Sequence, residues 1–219
     1  MQIGQLTTSL QILKKPFYNK TMQPKTIIFI GPQGSGKGTQ IEHLFTVIAE
    51  QDPARRIVDI QTGRRFRALA AKCETFADKK IASTLESGEL QPDFITHVLW
   101  GQAMLDQLDN KSHLLIDGFP RTVHQAEVLE EALDFFERDH IHVVNLDTPE
   151  EVVRKRMEER ARDDDTVESI ETRLRWYRED TLPVLDYYRV RPQTTVHDID
   201  GMSSIENVHE QILKALELS

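Results

Sequence analysis

The chain has 219 residues, with 27 Lys plus Arg against 36 Asp plus Glu, a formal net charge of −9. That length suits one domain of moderate size, and 39% hydrophobic residues can bury a core without disulfide or metal staples. The acidic balance excludes a general nucleic-acid binder, which needs a basic footprint, and a lone cysteine, Cys73, excludes a disulfide framework or a Cys-rich zinc site.

Residues 1–21 are polar, carry Lys14, Lys15 and Lys20, and show no sustained period. They read as a disordered extension or the product of an upstream start codon, with the domain proper expected over residues 22–219. They hold no apolar core of a secretory signal. The longest clean aliphatic run, Ile27–Ile30, is too short to cross a bilayer, so no membrane partner is expected. A reducing, cytoplasmic setting fits the cysteine usage.

From Thr26 the chain alternates between strand and helix signals. Thr26–Ile30 is a short β-branched run ending in glycines, and Ile41, Leu44, Phe45 and Ile48 follow at helical spacing. Ile57–Ile60, His113–Ile116, Ile141–Leu146 and Thr195–Ile199 read as four further strands. Between them lie helical patterns: Val128, Leu129, Leu133 and Phe136, then Ile170, Leu174, Tyr177 and Leu185. Ile205, Val208, Ile212 and Leu216 form a last amphipathic helix. Thr148, Pro149 and Glu151 read as a capped helix start, with the proline at the first helical position. Strands separated by helices predict an α/β fold, a doubly wound five-stranded parallel sheet with right-handed crossovers.

Gly31 to Gln40 lies between the first strand and the first helix and meets the pattern Gly-x-x-x-x-Gly-Lys at Gly31, Gly36 and Lys37. Such a P-loop points backbone N–H groups into one concavity, helped by the dipole of the next helix. Gly34, Ser35, Gly36, Gly38 and Thr39 are the expected triphosphate contacts. Lys37 would supply a mobile charge for the β- and γ-phosphates, and a hydroxyl nearby would hold Mg²⁺ or its water shell. Gly38 displaces the usual hydroxyl residue by one, to Thr39. By itself the loop does not distinguish ATPases, GTPases and kinases.

Three further blocks accompany it: Thr62-Gly63 with Arg67 and then Gly88-Glu89-Leu90; Asp117 to Thr122 with Gln125; and Arg156, Arg160, Arg162 and Arg173. With the loop ending Gly38-Thr39-Gln40, this order resembles the adenylate kinase family of nucleoside monophosphate kinases from Met22 to the C-terminus. Three departures stand out. Gln33 occupies the place of a usual proline, Arg64 that of a usual acid, and Gln91 that of a usual small apolar residue near the acceptor base.

The resemblance implies Mg²⁺-dependent transfer from ATP to AMP, giving two ADP. It implies Lys37 on the donor phosphates, Arg156 over the donor adenine, and Arg160, Arg162 and Arg173 around the moving phosphoryl. Arg67 and Arg121 would hold the acceptor phosphate, with Thr62, Gly63, Gly118 and Gln125 completing that site. Gln125 and Thr122 favour AMP, because a carboxamide matches the adenine edge. Asp117 would hold Mg²⁺ through water with Thr39. An acceptor-binding helical insert is expected at about 61–92 and a short lid at about 157–166, without structural zinc. The partners expected are ATP and AMP, with no nucleic acid, on a monomeric protein. A UMP/CMP or broad-specificity kinase is the alternative within this chemistry. A nucleotide sensor without transfer activity and a P-loop ATPase acting on nucleic acid are the alternatives outside it. The intact Lys37, Arg121 and lid arginines speak against the sensor, and the charge against the nucleic-acid enzyme.

Overall fold

All five side chains of β1 (Thr26–Ile30) are buried, as in a strand covered on both faces of a sheet. The structure, a computed structural model, describes residues 22–160 and 162–219, so the reading of residues 1–21 lies outside the described residues. β2 (Ile57–Gln61), β3 (His113–Asp117), β4 (Ile141–Asp147) and β5 (Thr194–Asp200) complete a parallel sheet of order β2-β3-β1-β4-β5. The five expected strands are all present. β3 ends at Asp117, level with Phe29 of β1 and Gln61 of β2.

Alternate side chains face opposite layers, which makes the sheet doubly wound. Ile28, Ile30, Ile60, Leu114, Ile116 and Val143 enter a core closed by α4 (Asp93–Gln107), α5 (Val123–Phe135) and α8 (Leu182–Arg189). Ile27, Phe29, Leu115, Val144 and Leu146 enter the other, closed by α1 (Lys37–Gln51) and α9 (Ile205–Ala215). Ile41, Leu44 and Ile48 of α1 are buried as spaced, whereas Phe45 remains exposed. No helix among the described residues is long and apolar enough to cross a membrane.

Three local features differ from the sequence reading. α4 has no counterpart in it, because exposed Phe94, Val98 and Leu105 interleave with buried Trp100, Ala103 and Met104 and hide the period. The expected cap at Thr148 does not form. α6 (Glu150–Arg160) starts after Pro149, whose carbonyl accepts from the N–H groups of Val152 and Val153. The Thr148 hydroxyl is buried without a partner among the described residues, packed so close to the Gly201 turn that a Cβ there would lie 2.0 Å away. A reciprocal cap forms instead at α3 (Phe76–Ser87), where Thr75 and Asp78 bond each other's backbone N–H.

The third difference is a break in the helix expected across Ile170 and Leu185. α7 (Val167–Trp176) passes into a π-helical stretch, Tyr177–Thr181, before α8. Pro183, at the start of α8, lacks an N–H and crowds the preceding turn, which widens the ladder there. The stretch read as acceptor insert contains α2 (Thr62–Lys72) and α3. Met157, at the expected start of the lid, belongs to α6 and packs with Val153, Ile170 and Leu174; α6 runs on to Arg160 and α7 begins at Val167.

Candidate active site

The loop after β1 is shaped by left-handed glycines. Gly34 and Gly36 have φ of 93° and 98°, which L side chains avoid, and a Cβ on Gly34 would fall 2.9 Å from the Met157 side chain. Gly36 precedes α1 without any side-chain cap, which leaves the first-turn amides available to an anion. Lys37 Nζ folds back to donate to the carbonyls of Gly31 (2.8 Å) and Pro32 (2.9 Å). Burial pulls its ammonium down to about 8; Asp117 opposes this, and the charges of Arg121 and Arg160 add to it.

Lys37, Gly38 and Thr39 line an open cavity with Arg156 and Arg160 of α6 and Arg162 beyond it. Gly34 and Gly36 also line it, whereas Ser35 does not: its N–H donates to Pro32 O at 3.1 Å and its side chain is buried. Arg156 donates to Gly201 O at 3.1 Å, which fixes it beside this cavity. Arg64, where the resemblance expects an acid, pairs across to Glu42 of α1 at 2.5 Å.

A second, smaller cavity lies against α2 and α3. Phe66, Leu85, Leu90 and Trp176 form apolar walls, and Thr62, Gln91, Gln125 and Arg173 supply polar groups. Gln125 is 2% exposed and held at both ends of its amide. Its Oε1 accepts from the Arg121 N–H (2.8 Å) and its Nε2 donates to Asp93 Oδ1 (2.7 Å). One lone pair and one N–H remain. Asp93 is absent from the sequence reading, because the helix it begins is absent too.

Gln33, Gly63, Arg67, Gly118 and Arg121 line both cavities. Arg121 Nε donates to Gly118 O at 2.7 Å, and its guanidinium stacks 4.6 Å from the Trp176 ring. Trp176 in turn donates to Gly88 O of the insert at 2.9 Å, and Thr181 of the π-helical stretch donates to Arg121 O at 2.9 Å. Burial pulls Arg121 down to about 10, against the attraction of Asp117, and it stays charged at neutral pH. Nothing in the residue pattern singles out Trp176, since its role depends on a ring meeting a guanidinium 55 positions away.

Arg160 and Arg173 are held by acids of the α6–α7 connection. Arg160 forks onto Asp165 at 2.8–2.9 Å. Arg173, 5% exposed, bonds Asp165 (2.6 Å), Asp164 (2.7 Å) and Leu85 O of α3 (3.1 Å). It reaches the second cavity, while Arg160 and Arg162 line the first, beside Lys37.

Asp117 Oδ1 is buried with no hydrogen-bond partner among the described residues, on the same cavity as Thr39. Two hard oxygen donors beside a phosphate loop fit Mg²⁺. Among the described residues no group of three or more His, Cys, Asp or Glu side chains is arranged to hold a metal ion.

Comparison with known proteins agrees with this geometry. The adenylate kinase family model matches residues 29–193. An adenylate kinase of Corynebacterium urealyticum is 37% identical over 191 residues, covering 87% of this chain and 98% of its own length. One of a Cyanothece species is 40% identical over 190 residues, covering 85% and 92%, and adenylate kinase 1 of a Nostoc species is 41% identical over 190 residues, covering 87% and 97%. With two cavities meeting at one arginine-lined wall beside the phosphate loop, this similarity shows that the chain belongs to the adenylate kinase family of nucleoside monophosphate kinases.

Proposed function

We propose a residue-level account of adenylate kinase activity in this chain, in which ATP donates its terminal phosphoryl group to AMP and two ADP result. The observation that carries it is the shared wall, where two cavities meet at Arg67, Gly118 and Arg121. Direct transfer needs two nucleotides in line, their charge neutralised and water kept out. Hydrolysis of ATP needs one nucleotide cavity only.

In this reading the triphosphate lies along the loop, on the backbone amides of Gly34 and of Gly36 to Thr39. Lys37 exchanges its bonds to Gly31 O and Pro32 O for the β- and γ-phosphates. Arg156 lies over the donor base. The acceptor phosphate binds at Gly63, Arg67 and Arg121, and its base meets the remaining lone pair and N–H of Gln125 near Thr62 and Gly118. An oxygen of the AMP phosphate attacks the γ-phosphorus. The bond to the β,γ-bridging oxygen breaks, and its electron pair leaves on ADP. Arg160, Arg162 and Arg173 stabilise the charge on the transferring oxygens. Arg160 and Arg173 must loosen their hold on Asp164 and Asp165 as the lid closes and dries the site. Asp117 and Thr39 would hold Mg²⁺, through water, and the ion when bound adds positive charge against the β- and γ-phosphates.

The test is incubation with ATP·Mg and each of AMP, CMP, UMP and GMP, with products separated and counted. AMP is expected to be the preferred acceptor, at two ADP formed per AMP consumed. Faster phosphorylation of CMP or UMP overturns the assignment of the acceptor.

A further inference from the structure

Gln91 lines the acceptor cavity and has no task in the account above. It is 9% exposed, and its Nε2 donates to the carbonyl of Ile81 in α3 at 3.2 Å. Its Oε1 is buried with no partner among the described residues. A carbonyl repels another carbonyl, so Ile81 sets the orientation of the amide and leaves oxygen, not nitrogen, as the spare atom. A buried acceptor without a donor is costly and uncommon in folded proteins. Here the residue that carries it stands in the wall of the second cavity, where the family resemblance expects a small apolar side chain.

We infer that Gln91 is a second specificity-determining residue of the acceptor pocket, whose Oε1 accepts from an exocyclic amino group and so selects an amino-bearing base over its oxo analogue. This rests on the reading that the acceptor base occupies the cavity under the insert. Adenine carries two hydrogens on N6. Gln125 takes one on its free lone pair while its N–H meets N1, and Gln91 Oε1 takes the other. Hypoxanthine has the same outline with an oxygen at that position. Its lone pairs then face the Gln91 lone pairs, and neither amide can turn round to relieve this. Gln125 is clamped between Arg121 N–H and Asp93, and Gln91 is tied to Ile81 O. Discrimination is large when a buried polar group of the site is left facing the wrong partner.

The experiment measures kcat/KM for AMP and for IMP at saturating ATP, in the unmodified protein and in Gln91→Met and Gln91→Val. Methionine keeps the length of the side chain and removes both polar atoms. The AMP-to-IMP ratio is expected to fall about 5- to 50-fold in either variant, through KM for AMP, while KM for ATP moves less than about twofold. A purely structural role would not change the ratio between two bases of one shape. A ratio within about twofold of the unmodified protein in both variants overturns the role of Gln91 alone, and valine decides should methionine fail to fold. Equal use of IMP and AMP by the unmodified protein overturns it without any variant. Absence of AMP turnover removes the acceptor reading itself, and the role of Gln91 with it.

Discussion

Arg121 and Arg138 are drawn into the protein at opposite ends of the same sheet. Arg138, 4% exposed, lies below the N-terminal ends of β1 and β3. Its Nε donates to Thr26 Oγ1 at 2.8 Å, Nη1 to Ser112 O at 2.7 Å and Nη2 to Lys25 O at 3.0 Å. Arg121, beyond the C-terminal end of β3, donates through Nε to Gly118 O and lies on the Trp176 ring. Among the described residues its terminal nitrogens donate to no protein group. A guanidinium saturated by fixed oxygens staples loops together. One that is aimed by a single carbonyl and a ring keeps its fork for a ligand's anion.

The contrast is tested most severely by rate. Arg121→Ala and Lys37→Met are each expected to lower kcat by roughly 10²- to 10³-fold, because each removes charge stabilisation from a dry site. Circular dichroism and melting should show a fold intact in both. Retention of more than about a tenth of kcat would remove the role assigned to that residue.

Arg138→Met should show the opposite pattern. It leaves the Ser112 carbonyl and the buried Thr26 hydroxyl without the donors that Arg138 supplies, at a cost of roughly 2–4 kcal/mol of stability. Denaturant unfolding would read that loss, with kcat per folded molecule unchanged. A tenfold loss of kcat without loss of stability would place Arg138 in the chemistry and erase the contrast.

Protonation offers a gentler probe of the same end of the sheet. The free protein holds Lys37 near 8, and a bound triphosphate favours the ammonium, so binding above that pH takes up a proton. ATP affinity is therefore full below about pH 8 and falls as pH rises, by up to about tenfold per unit, until the bound-state value is passed. Calorimetry at pH 8.5 in buffers of different ionisation enthalpy should register the uptake, and Lys37→Arg should abolish it. The smallest effect belongs to a positioning residue. Asp93→Ala frees the Gln125 amide and should raise KM for AMP about 3- to 10-fold, leaving KM for ATP unchanged. Asp93→Asn still offers an acceptor and should restore it.

Much of the donor half can be read from residue order. Gly31 to Thr39 is contiguous, bounded by a β-branched run and an amphipathic helix, so the loop and its lysine declare themselves locally. The strands do so because each is a short apolar run between polar breaks. The acceptor half is less open to such reading. Gln125 shows its residue type, but its two partners come from Arg121 N–H and from a helix start 32 residues earlier, and that helix lacks a clean period. Thr148 has the composition of a cap, yet its hydroxyl packs against the distant Gly201 turn, in the place that a Cβ there would take.

Sequence alone thus determines that this chain folds as a phosphate-loop α/β protein with an arginine series, because backbone dihedral preference and periodic burial are local properties. It does not say which arginines remain available for a nucleotide. Arg138 is saturated by Thr26, 112 positions away, and by Ser112. Arg121 is left open beside Trp176. Whether a buried donor is satisfied depends on oxygens that only the packed sheet brings within 3 Å, and that decision belongs to the tertiary structure.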